Sequence, residues 1–123
     1  CAPVTEWWQG QLFYEIFPAS FQDTSQDGMG DLRGIITRVD YLKSLGVEAV
    51  RLNSIFSSTL YPEHYTSITN LTRIDHNIGT MEDFEELVET LRKNHIRLIL
   101  DLPLFPFIEE LKGGLMKRKP LAQ

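Results

Sequence analysis

Ile96-Arg97-Leu98-Ile99-Leu100-Asp101-Leu102 is an apolar run in which only Arg97 and Asp101 carry charge. Such a near-continuous run suits a parallel strand covered on both faces; a half-exposed strand would alternate apolar with polar. The segments upstream show what kind of sheet it joins. Thr80 with Asp83 three residues on forms a capping-box-like start, and Phe84, Leu87, Val88 and Leu91 mark the buried face of a helix that ends near Asn94. Residues 47–52 read as a further strand. Before it, Leu32, Ile35, Ile36, Val39, Leu42 and Leu45 recur at helical spacing, and Gly46 stands where a helix C-cap belongs. Residues 12–17, aromatic and β-branched and stopped by Pro18, read as the first strand. The order strand, helix, strand, helix, strand predicts an α/β fold with right-handed crossovers and a parallel sheet with helices packed outside it. A polar, glycine-bearing loop spans 19–31, and 53–79 is a long irregular connection of the sort that is usually functional or mobile.

The composition bounds what such a chain can be. At 123 residues, 42% hydrophobic and 11% aromatic, it has the length and mix of one small globular domain. Twelve basic against seventeen acidic residues leave a formal charge of −5, which argues against gripping phosphate backbones. The acids all lie at or before Glu110, whereas Lys112, Lys117, Arg118 and Lys119 follow it, so a composition break sits near Gly113-Gly114. No stretch approaches the roughly 18 apolar residues of a membrane span, and the first residues lack the basic head and apolar run of a signal peptide. Any membrane contact would come through a helix upstream of Cys1 or through a partner. Cys1 is the only cysteine, so it is either inert or pairs with another chain. Asn70-Leu71-Thr72 is a glycosylation sequon that hints at an extracellular location.

Two architectures fit the element order: a doubly wound sheet, or part of a barrel. Neither a Gly-x-Gly-x-x-Gly turn nor a P-loop pattern joins the first strand to its helix, and the glycines of Asp27-Gly28-Met29-Gly30-Asp31 are interleaved with acids that repel phosphate. That loop wants a cation. Asp23, Ser25, Asp27 and Asp31 place oxygens at positions one, three, five and nine, and the Met29 carbonyl falls at seven, an alternation that can point at one calcium ion. Position twelve is Gly34, so this is not the hand-shaped calcium motif. The competing reading is a polar turn whose Asp31 caps the next helix. His64, His76 and His95 show no pairing that suggests zinc.

Taken together, Trp7-Trp8, Tyr14-Glu15-Ile16-Phe17-Pro18-Ala19-Ser20-Phe21, the acidic loop, Gly34-Ile35, Asp40-Tyr41-Leu42, Leu45-Gly46-Val47, Ile74-Asp75 and Gly79-Thr80-Met81-Glu82-Asp83-Phe84 resemble the opening of family 13 glycoside hydrolases. The likeness is closest to the α-glucosidase and oligo-glucosidase branch and to its non-enzymatic relatives, the heavy-chain subunits of heteromeric amino-acid transporters. It implies the first three strands and two helices of an incomplete (β/α)8 TIM barrel. It also implies a Ca2+ site at Asp23, Ser25, Asp27, Met29 and Asp31. The chain then divides into a linker with the lone cysteine at 1–6, a partial barrel at 7–104 and a divergent basic tail at 105–123.

The resemblance also bears on activity. The Tyr-Asp pair that lines the sugar site of the enzymes falls on Thr66 and Ser67, and the Asn-His that follows the third-strand Asp is absent after Asp101, so these three positions read as a degenerate sugar site. The two carboxyls of glycoside hydrolysis follow the fourth and fifth strands in this family, so no catalytic residue is expected among these 123. Glu109 and Glu110 read as a solvated face, and Trp7 and Trp8 as packing at the barrel base. A cysteine shortly before paired tryptophans implies a disulfide from Cys1 to a transporter light chain. The expected function is therefore a non-catalytic ectodomain of a transporter heavy chain, on the extracellular face of the plasma membrane or secreted. The alternative is a fragment of an α-glucosidase.

Overall fold

The computed structural model describes residues 3–58, 60–63 and 68–102. In chain order the elements are β1 (Phe13–Ile16), α1 (Pro18–Phe21), α2 (Leu32–Thr37), α3 (Val39–Ser44), β2 (Ala49–Leu52), β3 (Phe56–Ser58), β4 (Ile68–Ile74), α4 (Met81–Lys93) and β5 (Arg97–Leu100). The sheet β1-β2-β5 is parallel, with rows Phe13/Ala49/Arg97, Tyr14/Val50/Leu98, Glu15/Arg51/Ile99 and Ile16/Leu52/Leu100. Side chains alternate across a strand. Tyr14, Ile16, Val50, Leu52 and Leu98 accordingly meet Leu32, Ile35, Val39, Leu42, Leu87 and Leu91 in one core. Phe13, Glu15, Ala49, Arg51, Arg97 and Ile99 form the opposite face, which carries no helix among the described residues. Helices on one face only are what a barrel wall requires and what a doubly wound sheet lacks. This is the N-terminal part of a (β/α)8 barrel.

Both returns from helix to strand close in the same way. Gly46 (φ +81°) follows α3, with its N–H donating to the Lys43 carbonyl (3.0 Å) and that of Val47 to the Leu42 carbonyl (3.2 Å). After α4, His95 takes the same left-handed conformation (φ +57°), with His95 N–H on Arg92 (3.1 Å) and Ile96 N–H on Leu91 (2.9 Å). These paired bonds are Schellman motifs, which satisfy the last helical carbonyls. At the other end of α4, Thr80 and Asp83 form a reciprocal capping box. Arg33 on α2 then clasps Asp83 (2.9 Å) and Glu86 (2.8 Å) of α4.

The structure departs from the sequence reading in two places. The helix expected over 32–45 is interrupted at Arg38, whose φ −108° and ψ 8° are not helical, so it becomes α2 and α3. Leu32, Ile35, Val39 and Leu42 remain buried across the break, whereas Leu45 is 45% exposed, because the stripe ends one turn earlier than the spacing suggests. The long connection contains an antiparallel hairpin, β3-β4, whose pairing jumps from Phe56↔Ile74 to Ser57↔Asn70. Buried Asp75 anchors it, accepting from Ser58 N–H (3.2 Å), Asn77 N–H (3.0 Å) and Asn77 Nδ2 (2.9 Å).

Candidate functional site

The C-terminal ends of β1, β2 and β5 converge on Asp101. Its backbone N–H donates to the Leu52 carbonyl (3.0 Å), which extends the ladder one step past β5. From the helix-free face, Arg51 reaches across three strands, with Nη1 3.3 Å from Glu15 Oε2 and Nη2 3.4 Å from Asp101 Oδ1. The guanidinium thus bridges two carboxylates that would otherwise repel each other. Active sites of such barrels form at this end of the strands. Arg51 and Glu15 were missed in the sequence, although a signal was there: each is the only charged residue inside its strand, and they share a row. Thr66 and Ser67, the other sugar-site positions, lie outside the described residues, as do Cys1, Glu109 and Glu110.

The acidic loop is organised by its own backbone. Asp31 is buried, and its two oxygens accept four hydrogen bonds: Oδ1 from Thr24 Oγ1 (2.8 Å) and Gly34 N–H (2.7 Å), Oδ2 from Thr24 N–H (2.9 Å) and Ser25 N–H (3.3 Å). Burial alone would raise its pKa, but these donors from Thr24, Gly34 and Ser25 outweigh it and hold the carboxyl below the usual aspartate value. Asp23 accepts from Ser25 Oγ (3.2 Å), Gln26 N–H (2.8 Å) and Gly28 N–H (2.9 Å), and Asp27 from Met29 N–H (2.8 Å). Met29 packs its side chain against the core. A carboxylate offers about four lone-pair directions, and those of Asp31 are all engaged. Among the described residues no three histidines, cysteines or acids are grouped as metal ligands. In this conformation Asp31 caps α2, and its oxygens are taken up by the loop's own donors.

Two glycines let the loop pack. A Cβ on Gly34 would run into the Gln22 carbonyl, and one on Gly30 into that of Pro18. At the opposite end of the sheet Trp7 lies against Phe13 (6.2 Å between rings) and under the Arg97 guanidinium, 4.4 Å from the ring centre. It therefore packs at the base of the barrel wall, away from Asp101.

Comparison with known proteins agrees with this geometry. Residues 15–104 match the alpha-amylase catalytic-domain family. The chain is 46% identical over 99 residues to trehalose-6-phosphate hydrolase of Escherichia coli (strain K12), covering 80% of the chain and 18% of that protein. It is 41% identical over 101 residues to an α-glucosidase of Pediococcus pentosaceus, covering 82% and 18% respectively. Among solved structures, isomaltulose synthase (PalI) from Klebsiella sp. LX3 superposes with a TM-score of 0.78 at 43% identity, over 81% of this chain and 18% of that one. The chain thus spans about a fifth of the length of these relatives. They overturn the expected transporter heavy chain and, with it, the light chain attached through Cys1: the matched proteins are named for work on sugars, and nothing in them points to a transporter subunit. With residues 15–104 matched to its model and relatives above 40% identity, this chain belongs to the alpha-amylase catalytic-domain family, glycoside hydrolase family 13.

Proposed function

We propose that this segment supplies the first wall of the sugar cleft in a hydrolase acting on α-glucosidic bonds. The observation that carries the proposal is the placement of Asp101, held by Arg51 at the C-terminal strand ends, in a chain whose relatives include an α-glucosidase and oligo-1,6-glucosidases at about 40% identity. In that role Asp101 is a charged acceptor at the edge of the cleft, and Arg51 is the residue that positions it. The proton donor and the nucleophile or base that cleave the bond belong to later strands. The test is hydrolysis of maltose and isomaltose by the complete protein carrying this segment. Turnover supports the assignment, and a folded protein without turnover refutes it.

Calcium enters the proposal in restricted form. Asp23, Ser25, Asp27, Asp31 and the Met29 carbonyl are its candidate ligands, and an ion would have to compete with Thr24 and Ser25 for the Asp31 oxygens. A rise in melting temperature in millimolar calcium that Asp27→Ala removes supports a bound ion. An unchanged melting temperature leaves the loop its capping role alone.

A further inference from the structure

Asn70 lies where the hairpin ladder breaks. Ser57 pairs with Asn70 and the adjacent Phe56 pairs with Ile74, so Leu71, Thr72 and Arg73 have no register partner on β3. Such a bulge breaks the ladder and bends the strand locally. Asn70 Oδ1 accepts from Thr72 N–H (2.8 Å) and from Thr72 Oγ1 (2.6 Å). In a flat strand, residues two apart point the same way but stand too far apart for this contact. Here the hydroxyl of the third sequon residue touches the amide of the first. The same bonds polarise the amide carbonyl while leaving Nδ2 without an acceptor among the described residues. Thr69, Thr72 and Arg73 are exposed, and Asn70 is half-buried.

We infer that Asn70 is an acceptor for an N-linked glycan, added as the chain passes through a secretory compartment to the outside of the cell. Nδ2 forms a bond to the anomeric carbon of an oligosaccharide carried on a lipid diphosphate. The sugar–phosphate bond breaks, the lipid diphosphate leaves with the electron pair, and Nδ2 loses one proton. Because Nδ2 has no acceptor among the described residues and Thr69, Thr72 and Arg73 beside it are exposed, the attached sugar needs no change in the described core. This inference concerns a modification site and is independent of whether the complete protein hydrolyses α-glucosides.

The test expresses the chain behind a cleavable leader in cultured animal cells, with a second sequon in a C-terminal tag as an internal control for delivery. Two endoglycosidase-sensitive mobility steps are expected for the unmodified sequence and for Thr72→Ser, which keeps the hydroxyl. One step is expected for Asn70→Gln and for Thr72→Ala. Occupancy of the tag alone in the unmodified sequence overturns the inference.

Discussion

Replacing Asp31 by alanine probes the acidic loop and the start of α2 together. The variant removes the acceptor for Thr24 N–H, Thr24 Oγ1, Ser25 N–H and Gly34 N–H. Loss of the cap on Gly34 costs about 1 kcal/mol, within a usual range of roughly 0.5–2. The bonds from Thr24 and Ser25 add about 1 kcal/mol each, reduced because these partly buried donors regain some water. The expected loss is about 2–3 kcal/mol, measured by chemical denaturation near neutral pH. The pH dependence gives a second reading with a definite sign. Asp31 is held below its ordinary value of 3.8, so its contribution is complete above that value and is lost as pH falls through the lower folded value. Stability measured against pH should therefore show the gap between wild type and Asp31→Ala closing in that acid window. Asp23 is shifted in the same direction by its own contacts, but it is unchanged by the substitution and cancels in the difference. A loss under about 0.5 kcal/mol, or a gap indifferent to acid, would refute the role given to Asp31.

Three further substitutions test other parts of the fold. Gly34→Ala drives a Cβ into the Gln22 carbonyl, so α2 must shift and stability should fall by about 1–3 kcal/mol in the same denaturation experiment. His95→Gly relieves a left-handed residue that carries a side chain and should stabilise by about 0.5–1 kcal/mol, seen as a raised denaturation midpoint. Arg51→Met removes an exposed bridge and should change stability by less than about 1 kcal/mol. If the complete protein has the proposed activity, the same change should lower kcat/KM on maltose by roughly 10- to 100-fold through misplacement of Asp101.

The parts legible in the sequence were those written in local spacing. Leu32, Ile35, Val39 and Leu42 announced a buried helical stripe, Thr80 and Asp83 a helix start, and Gly46 a helix end, because each depends on neighbours within a few residues. Asp31 as a helix cap was also local, being three residues from the N–H it accepts. The hairpin was not legible: β4 reads Ile-Thr-Asn-Leu-Thr-Arg-Ile, its pairing with β3 is irregular, and Asp75 anchors it from seventeen residues beyond Ser58. His95 was passed over as a helix terminator because it is not glycine, although it adopts the same backbone. The bridge of Arg51 needed strand register, which joins residues 36 positions apart and is set by tertiary pairing.

The two matched helix endings also act as a ruler. In each, the second residue after the left-handed one makes the first bond to the neighbouring strand: Glu48 N–H to Leu12 (3.1 Å) after Gly46, and Arg97 N–H to Glu48 (2.9 Å) after His95. The distance from cap to ladder therefore fixes which side chains each strand turns inward. One residue inserted between Gly46 and Glu48 would advance β2 by a single step and reverse its faces. Val50 and Leu52 would then leave the core, and Arg51 would be thrust among the helices. A short turn far from Asp101 thus sets the chemistry of the surface on which Asp101 stands.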